Sequence, residues 1–136
     1  KNYKRIVADA YTDQIEGEHN TVHNFAKLLW ARAVKENNSS LAAISKKYYG
    51  KDRYFSHRIV FPHNSCNTLT TTASHYHHKY PRTLTIPEVK AISSFPKDFK
   101  LTGSFTKQWE RIGRAVPPLM MKEVASAIKK DILWKL

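Results

Sequence analysis

The segment from Thr85 to Leu133 limits the fold most sharply, because it is punctuated at almost every point where a helix must start or stop. Thr85 is a good N-cap, Pro87 falls in the first turn, and Glu88 stands three residues after the cap, the arrangement of a capping box. Phe95-Pro96 ends that helix, since the residue before a proline is pushed out of the helical region. Thr106 to Ile112 reads as a second short helix stopped by Gly113. A third begins at Pro117 and runs to about Leu133, with Met121, Val124, Ala125, Ile128 and Ile132 along one apolar face.

Upstream the patterning changes. Ile15 to Lys35 carries Val22, Phe25, Ala26, Leu29, Trp30, Ala33 and Val34 at three- and four-residue spacing, which predicts an amphipathic helix. Leu41 to Lys47 predicts a further helical turn. After Gly50 the residues become β-branched, aromatic and polar, with Pro62 and Asn64 as turn signals. Tyr54–Phe61 and Asn67–Thr72 are the expected strands. The chain therefore reads as α+β: a short twisted sheet with flanking helices and a C-terminal helix. It divides into a helical segment 1–50, a central unit 51–104 and a C-terminal unit 105–136.

With 136 residues, the chain is about one domain long and able to bury a core. Lys and Arg number 23 against 11 Asp and Glu, a net charge of +12, which favours a polyanionic partner because neutralised phosphates release counterions. A basic solvated surface is the plainer reading. The single Cys66 rules out an internal disulfide and fits a reducing cytoplasm. No apolar run is long enough to span a bilayer, so no membrane partner is expected. The start at Lys1, without a methionine, suggests a trimmed or proteolysed piece.

Two ordered motifs add a family likeness. Arg82, Leu84, Thr85 and Glu88 followed by Phe95 and Pro96 match R-x-L-T-x-x-E with a downstream Phe-Pro, and Gly113 to Pro118 is similar to G-N-A/S-V-P-P. Together they resemble the ninth and tenth motifs of DNA (cytosine-5)-methyltransferases. The clear part of the likeness runs from about Tyr54 to Ala127. It implies the target-recognition domain plus the helix that normally returns to a Rossmann-like catalytic domain. The family's main cofactor motifs and its proline-cysteine nucleophile are not seen in these residues.

The resemblance implies roles residue by residue. Thr68-Leu69, extended by Thr70, is similar to the dipeptide that contacts the DNA backbone beside the target base. Arg58 stands where related enzymes place a guanine-reading arginine, whose fork fits O6 and N7; an exposed strand arginine paired with an acid or water is the alternative. Arg53, Ser56 and His57 lie on the same stretch, and Phe55, Ser56 or His57 is a candidate to fill the gap left by a flipped base. For Phe55, packing in the core is the favoured alternative. His75 and Tyr76 read as a DNA-facing loop.

Arg82, Glu88, Phe95 and Pro96 organise the domain, with Arg82 and Glu88 forming an ion pair or capping backbone groups. Leu84, Val89, Ile92 and Phe95 belong to the core. Gly113, Arg114, Ala115 and Val116 would lie beside the methionine part of S-adenosylmethionine, with Arg114 replacing the usual asparagine. No catalytic residue is assigned. Cys66, in Asn64-Ser65-Cys66-Asn67, lacks the nucleophile's context and reads as a small buried or strand residue. His75, His77 and His78, or His19 and His23, do not make a metal site, since structural zinc wants four ligands.

The implied whole is an enzyme that methylates C5 of cytosine in a specific duplex sequence, within restriction-modification. This piece is expected to be inactive alone and to need double-stranded DNA and a missing catalytic domain or subunit. The C-terminal apolar face predicts self-association in isolation. The alternative is a non-catalytic DNA-binding or regulatory module derived from such an enzyme; a generic RNA-binding protein explains the charge but not the paired motifs.

Overall fold

Two short strands organise the computed structural model, which describes residues 17–135. Strand β1 (Arg58–Val60) pairs in parallel with β2 (His75–His77), placing Arg58 opposite His75, Ile59 opposite Tyr76 and Val60 opposite His77. Extended segments continue the sheet on both sides through single bridges, Ser40 with Arg58 on one edge, Tyr76 with Thr83 and then Arg82 with Thr21 on the other. Helices α1 (Asn24–Lys35) and α2 (Leu41–Tyr49) precede the strands. Helices α3 (Ile86–Ile92), α4 (Phe105–Arg114) and α5 (Pro118–Asp131) follow them, and a 3-10 turn spans Leu133–Lys135. The mixed α+β class expected from the sequence is the class observed.

Successive strand side chains point to opposite faces, and here they feed two cores. Ile59, Phe61 and Tyr76 join Val22, Leu29, Ala33, Leu41 and Ile44 from the α1–α2 side. Val60 joins Leu84, Ile86, Val89, Phe105, Trp109 and Ile112 from the α3–α4 side. The segment before residue 50 and the one after residue 105 thus each share a core with the strands. Leu84 and Val89 are fully buried, while Ile92 and Phe95 pack partly buried at the margin.

Several expected boundaries move. Helix α1 starts at Asn24, because Thr21 bridges Arg82 and the Val22 N–H donates to Pro81 O at 2.8 Å. Residues 15 and 16 of the expected helix lie outside the described residues. The strand expected over Tyr54–Phe61 keeps only Arg58–Val60, since Tyr54 sits at φ +61° and Phe55–Ser56 form a turn. Asn67–Thr72 is no strand at all. Its hydroxyls bond locally, Thr70 Oγ1 to Thr72 O at 3.1 Å and to Ser74 Oγ at 3.0 Å, offering the backbone an alternative to a ladder.

Helix ends follow capping chemistry. Ser40 Oγ accepts the Ala43 N–H at 3.2 Å, and α2 ends at Gly50 in the left-handed region, φ +62°. Helix α3 has the full capping box between Thr85 and Glu88. It stops before Phe95-Pro96: Ser94 adopts φ +61°, its N–H donates to Ala91 O, and Phe95 N–H donates to Lys90 O at 2.9 Å, a Schellman pattern. Gly113 does not stop α4, which runs on to Arg114. No residue of α5 is buried, and Met121, Val124, Ile128 and Ile132 are all exposed.

Candidate functional site

A groove of about 520 Å³ lies where the two C-terminal motifs meet the threonine-rich segment. Ser65, Cys66, Asn67, Thr68 and Leu69 form one wall; Ile92, Ser93 and Ser94, at the end of α3, form another. Ile112, Gly113, Ala115 and Pro117 close it from α4 and its exit, with Leu119 and Met120 of α5 at the mouth. Three contacts hold these parts. Trp109 Nε1–H donates to Thr70 O at 3.0 Å, and Leu119 N–H donates to Ser94 Oγ at 3.1 Å. At Gly113 the Thr70–Thr71 backbone lies so close that a Cβ would sit 2.3 Å from Thr70 O. The structure therefore brings Thr68, Leu69, Gly113 and Ala115 to one place. Trp109 and Ser94 were missed by sequence reasoning, because their partners, Thr70 and Leu119, lie 39 and 25 residues away in the chain.

Only part of the expected donor set survives at 113–116. Gly113 and Arg114 lie in the last helical turn, where amides point back along the helix, and Ala115 N–H donates to Ile112 O at 3.1 Å. Those amides are already used, and Arg114 and Val116, the other two expected cofactor residues, do not line the groove. The Arg114 guanidinium is exposed and paired with Glu110 Oε1 at 2.7 Å. Cys66 is half-buried rather than on a strand, and its S–H donates to Asn67 O at 3.2 Å. Burial pushes the thiol up to about 12, which leaves almost no thiolate at neutral pH.

The Arg53–Arg58 stretch does not line the groove and forms a separate feature. Arg58 is not a free fork: its Nη1 donates to Phe55 O at 2.7 Å, to His57 O at 3.1 Å and to Ser40 Oγ at 3.3 Å. Tyr76 Oη and His57 Nδ1 are 2.5 Å apart, and their rings stack. Burial, then the Arg58 charge, lowers the His57 pKa. Burial raises Tyr76 to about 12, so the phenol donates to a neutral imidazole. Ser56 is half-buried and Arg53 exposed. Phe55, expected in the core, is 82% exposed, because the Tyr54 turn swings it out.

His75 and Tyr76 need a further correction. They form a buried strand, not a DNA-facing loop, because Arg58 and Leu84 supply their ladder partners: Arg58 N–H donates to Ser74 O and Leu84 N–H to His75 O. In this fold neither side chain is presented to a ligand.

Beneath the sheet, Arg82 and Glu88 form a bidentate ion pair, Nη1 to Oε2 and Nη2 to Oε1, both at 2.8 Å. Thr85 N–H also donates to Glu88 Oε2 at 2.8 Å. Burial raises the Glu88 carboxyl, but the Arg82 guanidinium and the Thr85 amide outweigh it, and it titrates below the ordinary range. Phe95 packs against Phe99 with the rings tilted by 50° and centroids 5.1 Å apart, while Pro96 is exposed.

His77 Nδ1 accepts from Lys79 N–H and Tyr80 N–H, which keeps that nitrogen unprotonated. Burial and then the Arg82 charge depress His77 to about 4 despite Glu88; burial and then the Arg58 charge do the same for His75. Between these values and the unfolded 6.5, the unfolded chain binds more protons. Stability is thus complete above about pH 6.5 and falls as the pH drops toward 4, by up to about 3 kcal/mol per histidine. Urea midpoints measured from pH 7.5 to 4.5 should decline steadily, and a flat profile would contradict neutral burial of both rings.

Among the described residues no cluster could hold a metal ion, and no helix is long and apolar enough to cross a membrane. The C-5 cytosine-specific DNA methylase family matches residues 1–130. A protein of Oceanobacillus iheyensis named as a type II methyltransferase is 43% identical over 77 residues, 57% of this chain and 16% of that protein. The type II methyltransferase M.AplI of Arthrospira platensis is 33% identical over 96 residues, 63% of this chain and 28% of its own length. M.AquIB of Picosynechococcus, also a type II methyltransferase by name, is 26% identical over 132 residues, covering 88% of this chain and 91% of that protein. The chain spans well under a third of the first two relatives. No solved structure matches it.

Proposed function

The chain belongs to the C-5 cytosine-specific DNA methylase family, and on that premise we propose that it is the C-terminal, target-recognition part of a DNA (cytosine-5)-methyltransferase. The whole enzyme would transfer a methyl group to C5 of cytosine in duplex DNA, in a restriction-modification setting as the names of the relatives suggest. The observation that carries this reading is the convergence of Thr68-Leu69 with Gly113 and Ala115 on one groove. A hydroxyl-bearing loop suited to phosphate is thereby held against the segment proposed to face the cofactor. Near-full-length similarity to M.AquIB supports the idea that a chain of this size works as one piece of a divided enzyme.

In that enzyme S-adenosylmethionine would supply the methyl group. In the proposed enzyme Gly113 and Ala115 would give one wall of that site a close, apolar surface, and Arg114, which lies outside the groove's lining and pairs with Glu110, would be the group able to hold a carboxylate. The catalytic nucleophile would come from elsewhere in the enzyme, since Cys66 is half-buried, bonds to Asn67 O and lacks the preceding proline of the family's nucleophile. The apolar face of α5 is the proposed seat of the catalytic domain.

The test is methyl transfer from labelled S-adenosylmethionine to cytosine-containing duplex DNA, with this chain alone and with a catalytic-domain chain of the same family. Activity only in the mixture is expected. Turnover by this chain alone would overturn the assignment, as would a mixture that is inactive although the two chains associate and bind DNA.

A further inference from the structure

We infer that the paired helices α1 and α2 present a phosphate-binding face to DNA, a second place, apart from the groove, at which the chain holds the duplex backbone; the inference rests on the DNA-recognition role proposed above. The two helices contain Lys27, Arg32, Lys35, Lys46 and Lys47, every one exposed, and no acid. Between them lies a hollow of about 430 Å³ lined by Arg32, Lys35, Glu36 and Tyr48. The Arg32 guanidinium lies over the Tyr48 ring, 4.4 Å from its centroid, and over Tyr49 at 5.1 Å. Such stacking fixes the plane of the fork and leaves its N–H edge available to oxygen acceptors such as phosphate. Glu36, the C-cap of α1, is the one acid lining the hollow. It accepts from Lys47 Nζ at 2.8 Å and from the Tyr48 hydroxyl, which together hold its carboxyl below the ordinary range. One carboxylate thus faces three cations, Arg32, Lys35 and Lys47.

A solvated basic face is the plainer reading, and the structure argues against it. Surface charge kept for solubility mixes both signs, as this chain does on α4, where Glu110 pairs with Lys107 at 3.2 Å and with Arg114 at 2.7 Å. The helix dipole accounts for cations in a last turn, but it equally calls for acids in a first turn, and neither α1 nor α2 has one there. Like charges three residues apart on a helix, here Arg32 and Lys35, repel each other unless an anion sits between them. Position says which anion. Helix α2 leads into exposed Lys51 and Arg53, and Ser40 at its start accepts from Arg58 Nη1 at 3.3 Å, so the cationic face is continuous with the Arg53–Arg58 stretch. The hairpin packs into the core on one side of the strands, while Cys66, Leu69 and Ile92 of the groove pack on the other. The phosphates it meets are therefore not those beside Thr68-Leu69, and it adds affinity without reading bases.

The experiment follows binding of a labelled mixed-sequence duplex by anisotropy across a salt series, with the 136-residue chain throughout. Three variants are compared with wild type, and thermal unfolding confirms that each one folds, as exposed positions predict. Arg32→Gln with Lys35→Gln should make the plot of log affinity against log salt shallower by about two and weaken binding roughly ten- to a hundredfold near 0.1 M salt. The loss should be equal on a duplex of A·T pairs alone, because phosphate contacts carry no sequence information. Lys129→Gln with Lys130→Gln removes the same charge from α5 and should leave the slope unchanged. Glu36→Gln releases Lys47 and should steepen the slope by about one and tighten binding several-fold.

A hairpin double variant with the wild-type slope would overturn the inference while leaving the recognition role intact. So would an α5 variant that loses as much, since total charge rather than this face would then matter. Weaker binding by Glu36→Gln, or a hairpin variant impaired only in associating with a catalytic-domain chain, would overturn it as well. Wild type that fails to bind duplex at low salt would remove the recognition role and this inference with it.

Discussion

Replacing Gly113 by alanine should destabilise the chain by about 2–4 kcal/mol and lower its Tm by roughly 10 °C. Helix propensity by itself predicts the opposite sign, since glycine inside a helix is about 1 kcal/mol worse than alanine. The decisive quantity is distance. An added Cβ would meet Thr70 O at 2.3 Å, Thr70 C at 2.7 Å and Thr71 N at 3.0 Å, all backbone atoms that cannot rotate away. Relief requires moving the threonine loop off α4, which breaks the Trp109 Nε1–H bond to the same Thr70 carbonyl. The loop that carries Thr68 and Leu69 would shift with it, so DNA binding should weaken in parallel. Gly50→Ala is the control: φ is +62° but no atom lies within 4 Å of the new methyl, and a cost near 1 kcal/mol is expected. Thermal and urea unfolding of the two variants check this. A Gly113→Ala protein as stable as wild type would mean that the loop does not rest on the helix.

The second large effect concerns the Arg82–Glu88 pair. Glu88→Gln should cost about 3–5 kcal/mol, the usual penalty for leaving one charge of a buried pair uncompensated. Glu88 is 1% exposed and serves Arg82, the Thr85 amide and the approach of His77 Nε2 at 4.0 Å. Arg82→Met should cost a similar amount, through the stranded carboxylate. The double variant Arg82→Met with Glu88→Leu should be less damaged than either single variant, because neither charge is then left behind. The acid response gives an independent readout. Glu88 has a lowered folded pKa, so its contribution is present above the unfolded value and lost as the pH falls through the folded one. That loss adds to the histidine effect below pH 4.5 and should be missing in the double variant. Additive single effects in a double-mutant cycle would show that the two groups act independently, contrary to the geometry.

How much was legible depended on whether the deciding contact was local. The capping box at Thr85 and Glu88 and the turn of α2 ahead of Gly50 were readable because a cap and its partner lie within four residues. Core membership of Leu84 and Val89 came with the motif around Arg82 and Glu88, and both are fully buried. The strands were misjudged because three-residue strands have almost no periodicity to detect. His75 and Tyr76 read by sequence as a DNA-facing loop. Parallel pairing with Arg58–Val60, across the connection of residues 61–74, buries it.

Phe55 shows the converse error. Its type argued for the core, but Tyr54 in the left-handed region and the Arg58 clamp decide its exposure, and neither is visible in composition. Gly113 reads from its type as a helix stop, whereas α4 runs past it and the packing shows a close backbone approach.

The sequence by itself determined the α+β class, the starts of the capped helices and the family, because caps, helical stripes and ordered motifs are short-range or linear signals. The tertiary structure alone decided which strands pair, which histidines are neutral and buried, which aromatic ring faces water, and that Thr68-Leu69 meets Gly113. Each of those depends on residues far apart in the chain arriving at one place, where burial and backbone distance, rather than residue type, set the energy.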